Sequence, residues 1–264
     1  CASVAGSTKG VSDRLVQADY RVRIFTPGGE LAFAGHPTLG TCHAWLAAGG
    51  QPRQPGRIVQ QCAAGLVTLR QEDGRLAFAA PALRRAAPSP TVLAQAAAAL
   101  GLPARQIEAA QLLDNGTAWL GLLLADEATV LALAPDHEAV RRLGHKIGVC
   151  AVRQDATPSL LIGRSSREAR AFAPTGAATA TATPALEVRG FAAPIGVPED
   201  PVTGSLNASL AQWLIDEGRL PERYVAYQGQ SLGRDGQIHI ARDAQGQVWV
   251  GGHCITCISG QVAL

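Results

Sequence analysis

The alternation in D-Y-R-V-R-I-F-T-P, residues 19–27, with its β-branched and aromatic positions, predicts a strand. In the following stretch, E-L-A-F-A-G-H-P-T-L-G-T-C-H-A-W (30–45), a short apolar run meets a Gly35–His36–Pro37 turn. Leu39, Cys42, His43 and Leu46 then recur at helical spacing, which predicts a helix over 38–48 that stops at Gly49 and Gly50. Two alternating runs in G-L-V-T-L-R-Q-E-D-G-R-L-A-F-A-A (65–80) flank Asp73–Gly74, a strong hairpin signal.

The same order of patterns returns in the second half. E-V-R-G-F-A-A-P (187–194) predicts a strand, and V-P-E-D-P-V-T-G-S-L-N-A-S-L-A-Q-W-L (197–214) turns at Thr203–Gly204–Ser205 into a helix that ends by Gly218. Residues 224–243 carry another Asp-Gly at 235–236, and Q-V-W-V-G-G-H-C-I-T-C-I-S-G-Q-V-A-L predicts a final hairpin. Each half therefore runs strand, glycine-containing turn, helix, strands. Two lobes are expected, 1–86 and 87–264, with the last strand, near 254–264, returning to the first lobe. Between them, 80–90 is a Pro-rich crossing, and 89–102 is a helix with Ser89 as N-cap and Pro90 at its first position. Residues 117–133 begin with a buried strand, and the Ala/Thr/Gly tract 176–183 predicts a loop.

Composition narrows the class. A chain of 264 residues with 47% hydrophobic positions can bury a substantial core, and a formal net charge of +2 with scattered basic residues gives no electrostatic footprint for nucleic acid. No apolar run is long enough to span a bilayer. Six cysteines in a chain of this size do not form a disulfide framework. Cys254 and Cys257 make a C-x-x-C without the second pair of a zinc site, so both are read as small core residues of a reduced, cytoplasmic protein. The chain has no Met and opens at Cys1, which reads as a fragment or a processed chain, with a lipoprotein start as the minor alternative.

The two turns are where chemistry concentrates. A helix N-terminus presents unpaired N–H groups and partial positive charge, a ready anion site. Two of them facing one another across a cleft would grip a carboxylate and stabilise enolate-like charge. His36 stands before one helix, and Asp200 and Ser205 flank the start of the other. His titrates near neutrality, Asp accepts from an ammonium or moves a proton, and Ser caps a helix or binds a carboxylate. Taken singly, each also has an ordinary structural reading as cap or turn former. Their occurrence at corresponding places in the two halves favours function. Neither a G-x-S-x-G elbow nor a G-x-G-x-x-G loop is present.

R-I-F-T-P-G-G-E-L-A-F-A-G-H-P-T-L-G-T together with G-V-P-E-D-P-V-T-G-S-L-N-A-S-L-A-Q-W-L, and V-W-V-G-G-H-C-I-T-C-I-S-G near the end, resembles the phenazine biosynthesis PhzF-like family from about residue 19 onward. The resemblance implies an α/β (α+β type), diaminopimelate epimerase-like fold: two similar lobes, each a curved, mostly antiparallel sheet around a central helix, with the site between them. It implies a homodimer and isomerisation of the trans-2,3-dihydro-3-hydroxyanthranilate type, without metal or organic cofactor, on a small carboxylate. His36 and Asp200 match the family's proton-handling residues, and Gly35, Thr203, Gly204 and Ser205 its substrate-binding turns. The cysteine pair of the related racemases is not matched.

The start departs from the pattern. The family places a strand, a Gly-Asn-Pro segment, a helix and a catalytic Glu ahead of the Phe-Thr-Pro strand. Here Gly6, Ser7 or Thr8 stands where that Glu is expected, and no carboxylate precedes Asp13. Glu30 belongs to a separate part of the motif and is a weak stand-in. Two readings follow: a proton-transferring isomerase, or a catalytically silent carboxylate-binding member or fragment that lacks the general base.

Overall fold

The computed structural model describes residues 17–26, 29–72, 74–153 and 184–260. In chain order the elements are β1 (Tyr20–Arg21), β2 (Ile24–Thr26), β3 (Gly29–Leu31), α1 (Gly35–Ala47), β4 (Ile58–Cys62), β5 (Gly65–Glu72), β6 (Arg75–Ala79) and β7 (Arg84–Ala86). Then come α2 (Pro90–Leu100), β8 (Ile107–Asp114), β9 (Ala118–Leu124), α3 (Glu127–Ala132), α4 (His137–Leu143) and β10 (Ile147–Val152). The last are β11 (Pro184–Ala192), β12 (Val197–Asp200), α5 (Gly204–Asp216), β13 (Arg223–Gln228), β14 (Gly236–Arg242) and β15 (Val248–Gly252).

Among the described residues, thirteen strands form one continuous sheet in the order β1-β4-β5-β6-β15-β14-β13-β11-β10-β9-β8-β7, with β12 branching from β11; β2 and β3 pair separately. Most neighbours are antiparallel, and β1/β4, β9/β10 and β11/β13 are parallel. The join between the first and last parts of the chain is β6 with β15, in the register Phe78↔Val250. The architecture is thus mixed α/β with a dominant, largely antiparallel sheet, as the resemblance implies.

Two apolar clusters lie on the faces of this sheet. Trp213, Leu206, Leu210 and Leu214 of α5 pack with Leu69, Phe78, Leu186, Val188, Ile240 and Val250. On the other face α2, α3 and α4 cover Leu120, Leu122, Leu124, Ile147, Val149 and Phe191. Alternation divides β9 between the two, Trp119 and Leu123 to one side and Leu120, Leu122 and Leu124 to the other. A strand covered on both faces reads as a continuous apolar run, which is why the sequence over 117–124 reads as a buried strand. Arg189, 5% exposed, ties β11 to this layer: it donates from Nε and Nη2 to Glu199 at 2.8 Å each and from Nη1 to the carbonyls of Val130 and Leu133 at 3.2 and 2.7 Å. The buried ion pair is compensated because the guanidinium also satisfies carbonyls left over at the end of α3.

Several sequence expectations are met closely. The helix at 89–102 is α2, with Ser89 Oγ accepting from the Val92 N–H at 3.2 Å and Gly101 in a left-handed C-cap. Strands β5 and β6 pair as a hairpin in the register Glu72↔Arg75. Others are corrected. The single strand expected over 19–27 is, within the described residues 19–26, two strands, because β1 pairs with β4 while β2 turns back onto β3. The Gly35–His36–Pro37 turn is itself the first turn of α1, a position where proline needs no N–H donor. Asp235–Gly236 is not a tight hairpin: residues 229–235, with a short 3-10 turn, join β13 to β14. Among the described residues no final hairpin forms after 247; β15 pairs back with β14 and β6, and residues 253–260 carry no strand. Cys254 is half-buried and Cys257 is exposed, so Cys257 is not a core residue. The tract 176–183 and Gly6, Ser7, Thr8 and Asp13 lie outside the described residues.

Candidate functional site

The two candidate turns meet. Helix α1 starts at Gly35 after Ala34, and α5 starts at Gly204 after Thr203; neither N-cap residue makes a side-chain capping bond. A Cβ on Gly35 would lie 2.6 Å from Gly204 Cα, and one on Gly204 would lie 2.7 Å from Gly35 Cα. The backbones touch at a distance that no side chain tolerates, so glycine is required at both helix starts. The first-turn N–H groups of two helices are brought to one place, as the paired motifs predict.

Beside this junction is a cavity of about 340 Å³, within the size range of small-molecule sites. Gly35, His36 and Leu39 line it from α1, Val202 and Gly204 from the start of α5, and Phe78 from β6. The opposite wall is the β14–β15 pair, with Asp235, Gly236, Gln237, Ile238, Val250, Gly251 and Gly252, followed by His253. The lining thus combines apolar residues with His36, His253, Asp235 and Gln237.

His253 has a backing group. Its ring lies edge-on to His239, centroids 6.1 Å apart. Arg75 Nη1 approaches His239 Nδ1 at 3.4 Å. A guanidinium only donates, so Nδ1 is the bare nitrogen and Nε2 carries the proton. Burial, with Arg75 and His253 adding repulsion, pushes His239 down to about 4, which keeps it neutral near pH 7.

The other predicted residues are not in the lining. Asp200, at the end of β12, accepts on Oδ2 from Thr203 Oγ1 at 2.8 Å. Thr203 is buried, and its N–H and hydroxyl are both bound by Gln228, at 3.0 and 2.9 Å. Ser205, also buried, turns its hydroxyl to Trp119, whose Nε1 donates at 3.2 Å, while Asn115 Nδ2 donates to its carbonyl at 2.9 Å. Behind Trp119 the Lys146 ammonium lies over the indole at 4.6 Å, and burial pushes this lysine down to about 8. The structure thus brings Gly35, His36 and Gly204 to the cavity and sets Asp200, Thr203 and Ser205 in the turn that supports it. Glu30 is exposed and held by Arg23 at 3.0 and 2.8 Å, away from the lining.

The lining residues Asp235, Gln237 and His253 were not singled out from the chain. Their signals are the second Asp-Gly, which reads as a turn, and the G-G-H of V-W-V-G-G-H, which reads as part of the closing strands. Among the described residues no group of three or more His, Cys, Asp or Glu side chains is placed to hold a metal ion, and no helix is long and apolar enough to cross a membrane.

Comparison with known proteins agrees with the fold and the motifs. The family model described as phenazine biosynthesis-like protein, PhzC-PhzF, matches residues 11–260. Antisense-enhancing sequence 1 of Schizosaccharomyces pombe is 31% identical over 262 residues, covering 93% of this chain and 80% of its own length. The trans-2,3-dihydro-3-hydroxyanthranilate isomerase of Pseudomonas aeruginosa is 29% identical over 238 residues, covering 87% and 72%. Among solved structures, the PhzF-family phenazine biosynthesis protein of Bacillus anthracis superposes with a TM-score of 0.66 at 18% identity, covering 88% of this chain and 77% of that one. The motifs, the sheet with its two abutting helices and the extent of the match lead to one conclusion: this chain belongs to the phenazine biosynthesis-like protein family.

Proposed function

We propose that the chain is an isomerase that moves a proton between carbons of a small amino- or hydroxy-carboxylic acid, of the trans-2,3-dihydro-3-hydroxyanthranilate isomerase type. The observation that carries this reading is the cavity of about 340 Å³ beside two abutting, uncapped helix starts, with His36 in its lining. The amides of the first turns at Gly35 and Gly204 hold the carboxylate. The ring packs on Phe78, Leu39 and Val250. A proton leaves the carbon next to the unsaturated or carboxyl-bearing carbon and returns at another, so no atom is gained or lost. His36, in the cavity lining, handles that proton, with Asp200, outside the lining, as the second member of the relay, and Thr203 and Ser205 set the turn that presents Gly204.

A second reading is favoured by one observation: no Glu lines the cavity among the described residues. On that reading the chain is a carboxylate-binding member without turnover.

Incubation with trans-2,3-dihydro-3-hydroxyanthranilate in D₂O, followed by NMR, separates the two. The isomerase incorporates deuterium at carbon, and His36→Ala and Asp200→Ala each slow this by roughly 10²–10⁴-fold. Equal exchange in all three proteins overturns the assigned roles. Thermal stabilisation by a small carboxylate with no exchange establishes the binding reading instead.

A further inference from the structure

Gln228 ends β13 and is 1% exposed, yet its carboxamide uses all four of its hydrogen-bonding positions on the turn leading into α5. Oε1 accepts from the Thr203 N–H at 3.0 Å and from Asn207 Nδ2 at 2.8 Å. Nε2 donates to the Asp200 carbonyl at 2.8 Å and to Thr203 Oγ1 at 2.9 Å. The Thr203 N–H can only donate, so it decides which end of the amide is oxygen. Thr203 Oγ1, having accepted from Gln228, donates its own proton to Asp200 Oδ2 at 2.8 Å. A polarised chain therefore runs from the Gln228 amide through the Thr203 hydroxyl to the Asp200 carboxylate, and each bond strengthens the next. Asn207 closes the ring by donating to the Thr203 carbonyl at 3.0 Å.

The backbone around this ring leaves room for it and little else. Gly190 pairs with Asp200 across β11 and β12, and a Cβ there would lie 3.0 Å from Thr203 Oγ1 and 3.3 Å from Gln228 Nε2. A Cβ on Gly229 would lie 2.6 Å from the Pro201 carbonyl oxygen, and one on Gly236 would lie 2.3 Å from Val202 Cγ2. Residues 201–203 are thus seated against bare backbone on more than one side, and Val202, Gly204 and Gly236 pass directly into the cavity wall. Among the described residues Asp200 Oδ1 has no hydrogen-bond partner, while Oδ2 is held by Thr203.

We propose that Gln228 is a positioning residue of the site: it orients Asp200 through Thr203, fixing Oδ2 and leaving Oδ1 to exchange a proton, and in the same act sets the angle at which α5 presents Gly204. The proposal rests on the reading of Asp200 as a proton-handling group. Neither Gln228 nor Asp200 is in the cavity lining, so the effect of Gln228 on chemistry passes through Thr203, Asp200 and the turn that presents Val202 and Gly204 to the cavity.

The test uses the full chain with Gln228→Glu, Gln228→Met, Asp200→Asn and the Gln228→Glu/Asp200→Asn double variant. Gln228→Glu keeps the shape but replaces both Nε2 donors by an acceptor; Gln228→Met keeps the length without adding charge, and serves if the glutamate variant does not fold. With trans-2,3-dihydro-3-hydroxyanthranilate as substrate, kcat falls roughly 10–100-fold in either Gln228 variant, with KM within about threefold and a changed pH–rate profile. The double variant is no slower than Asp200→Asn, because both substitutions act on one chain of contacts. A second arm needs no turnover: in ¹H–¹⁵N spectra the Gln228 side-chain amide of the wild type shifts with the ionisation of Asp200, and in Asp200→Asn that titration is gone. Wild-type kcat and pH profile in the Gln228 variants, alongside a slowed Asp200→Asn, overturn the positioning role and leave the isomerase reading standing. Full turnover by Asp200→Asn overturns the proton-handling role of Asp200, and no turnover by the wild type overturns the isomerase reading; in either case the amide titration then decides the positioning alone, and a flat titration overturns it too.

Discussion

Helices α1 and α5 are each thirteen residues long and start at a glycine without a side-chain cap, and the two starts are pressed together, yet they are held differently. In α5 ten residues are buried, and the turn before it is wired to β13 through Gln228 and Asn207. In α1 only Gly35, Thr38 and Cys42 are buried. Its neighbours hold it at the edges: Gln60 Nε2 reaches Thr38 Oγ1 at 3.3 Å, Tyr20 stacks on Trp45 at 5.0 Å, and His43 meets Thr256 at 2.9 Å. One jaw of the site is part of the core and the other rests on it. Local opening free energy follows buried contact, so α1 is the element whose movement gives access to the cavity at least cost.

The same deletion on each helix makes the contrast measurable. Trp213 of α5 is fully buried, and its Nε1 donates to Glu217 at 2.7 Å. Trp213→Ala is expected to cost about 3–5 kcal/mol in urea unfolding. Trp45 of α1 is only half-buried, so Trp45→Ala costs about 1–2 kcal/mol. Equal losses would show that burial in the static structure misjudges how α1 is held.

Legibility in the sequence follows the same divide. The start of α5 at Gly204, the β5–β6 hairpin and α2 are readable because period, cap and turn residues are local signals, whereas α1 begins at Gly35, one turn earlier than its apolar spacing predicts. The breakup of 19–27 is not readable, since it depends on β1 finding β4, some forty residues away, as its partner. His36 pairs in the sequence with Asp200 and Ser205 because the two halves repeat their order of elements, and of that set only His36 lines the cavity. Ser205 was expected to face the ligand, and nothing in T-G-S-L-N reveals that Trp119, far off in the chain, takes its hydroxyl. Gln228 was missed for the same reason: a glutamine closing a strand looks like any polar strand end until the fold lays the Asp200 turn across it.

Electrostatics divides the molecule as well. On β11, beside the strands that α5 packs against, Glu187 is fully buried with neither carboxylate oxygen bonded. Burial, reinforced by Glu127 and opposed by Arg153 and Arg189, pushes it up to about 7. The folded chain therefore holds this proton more tightly than the unfolded chain, whose ordinary value is 4.5, and stability declines as pH rises between the two. His239, on β14 edge-on to His253, is shifted the other way, down to about 4 from 6.5, so its contribution is lost as pH falls through that window. Glu187→Gln should remove the decline on the alkaline side, a gain of roughly 2 kcal/mol at pH 8, while His239→Gln should flatten only the acid side. Thermal unfolding across pH 4–8 checks both, and a Glu187→Gln profile that still declines toward pH 8 would assign the slope to other groups.

The smallest effect is the most local. The contact of His43 Nε2 with Thr256 Oγ1 is solvent-exposed, and it joins the middle of α1 to a segment, 253–260, that has no regular structure. A hydrogen bond of this kind contributes about 0.5–1 kcal/mol, so Thr256→Val should barely move the global unfolding midpoint. If α1 opens separately from α5, that whole loss appears in its own opening equilibrium. Amide hydrogen exchange in the middle of α1, at Thr41 through Trp45, should then accelerate about two- to fivefold, while amides of α5 from Ala208 to Leu214 keep their wild-type rates. Equal acceleration in both helices would mean that the two jaws open together, and the difference in burial between them would then have no counterpart in how the site opens.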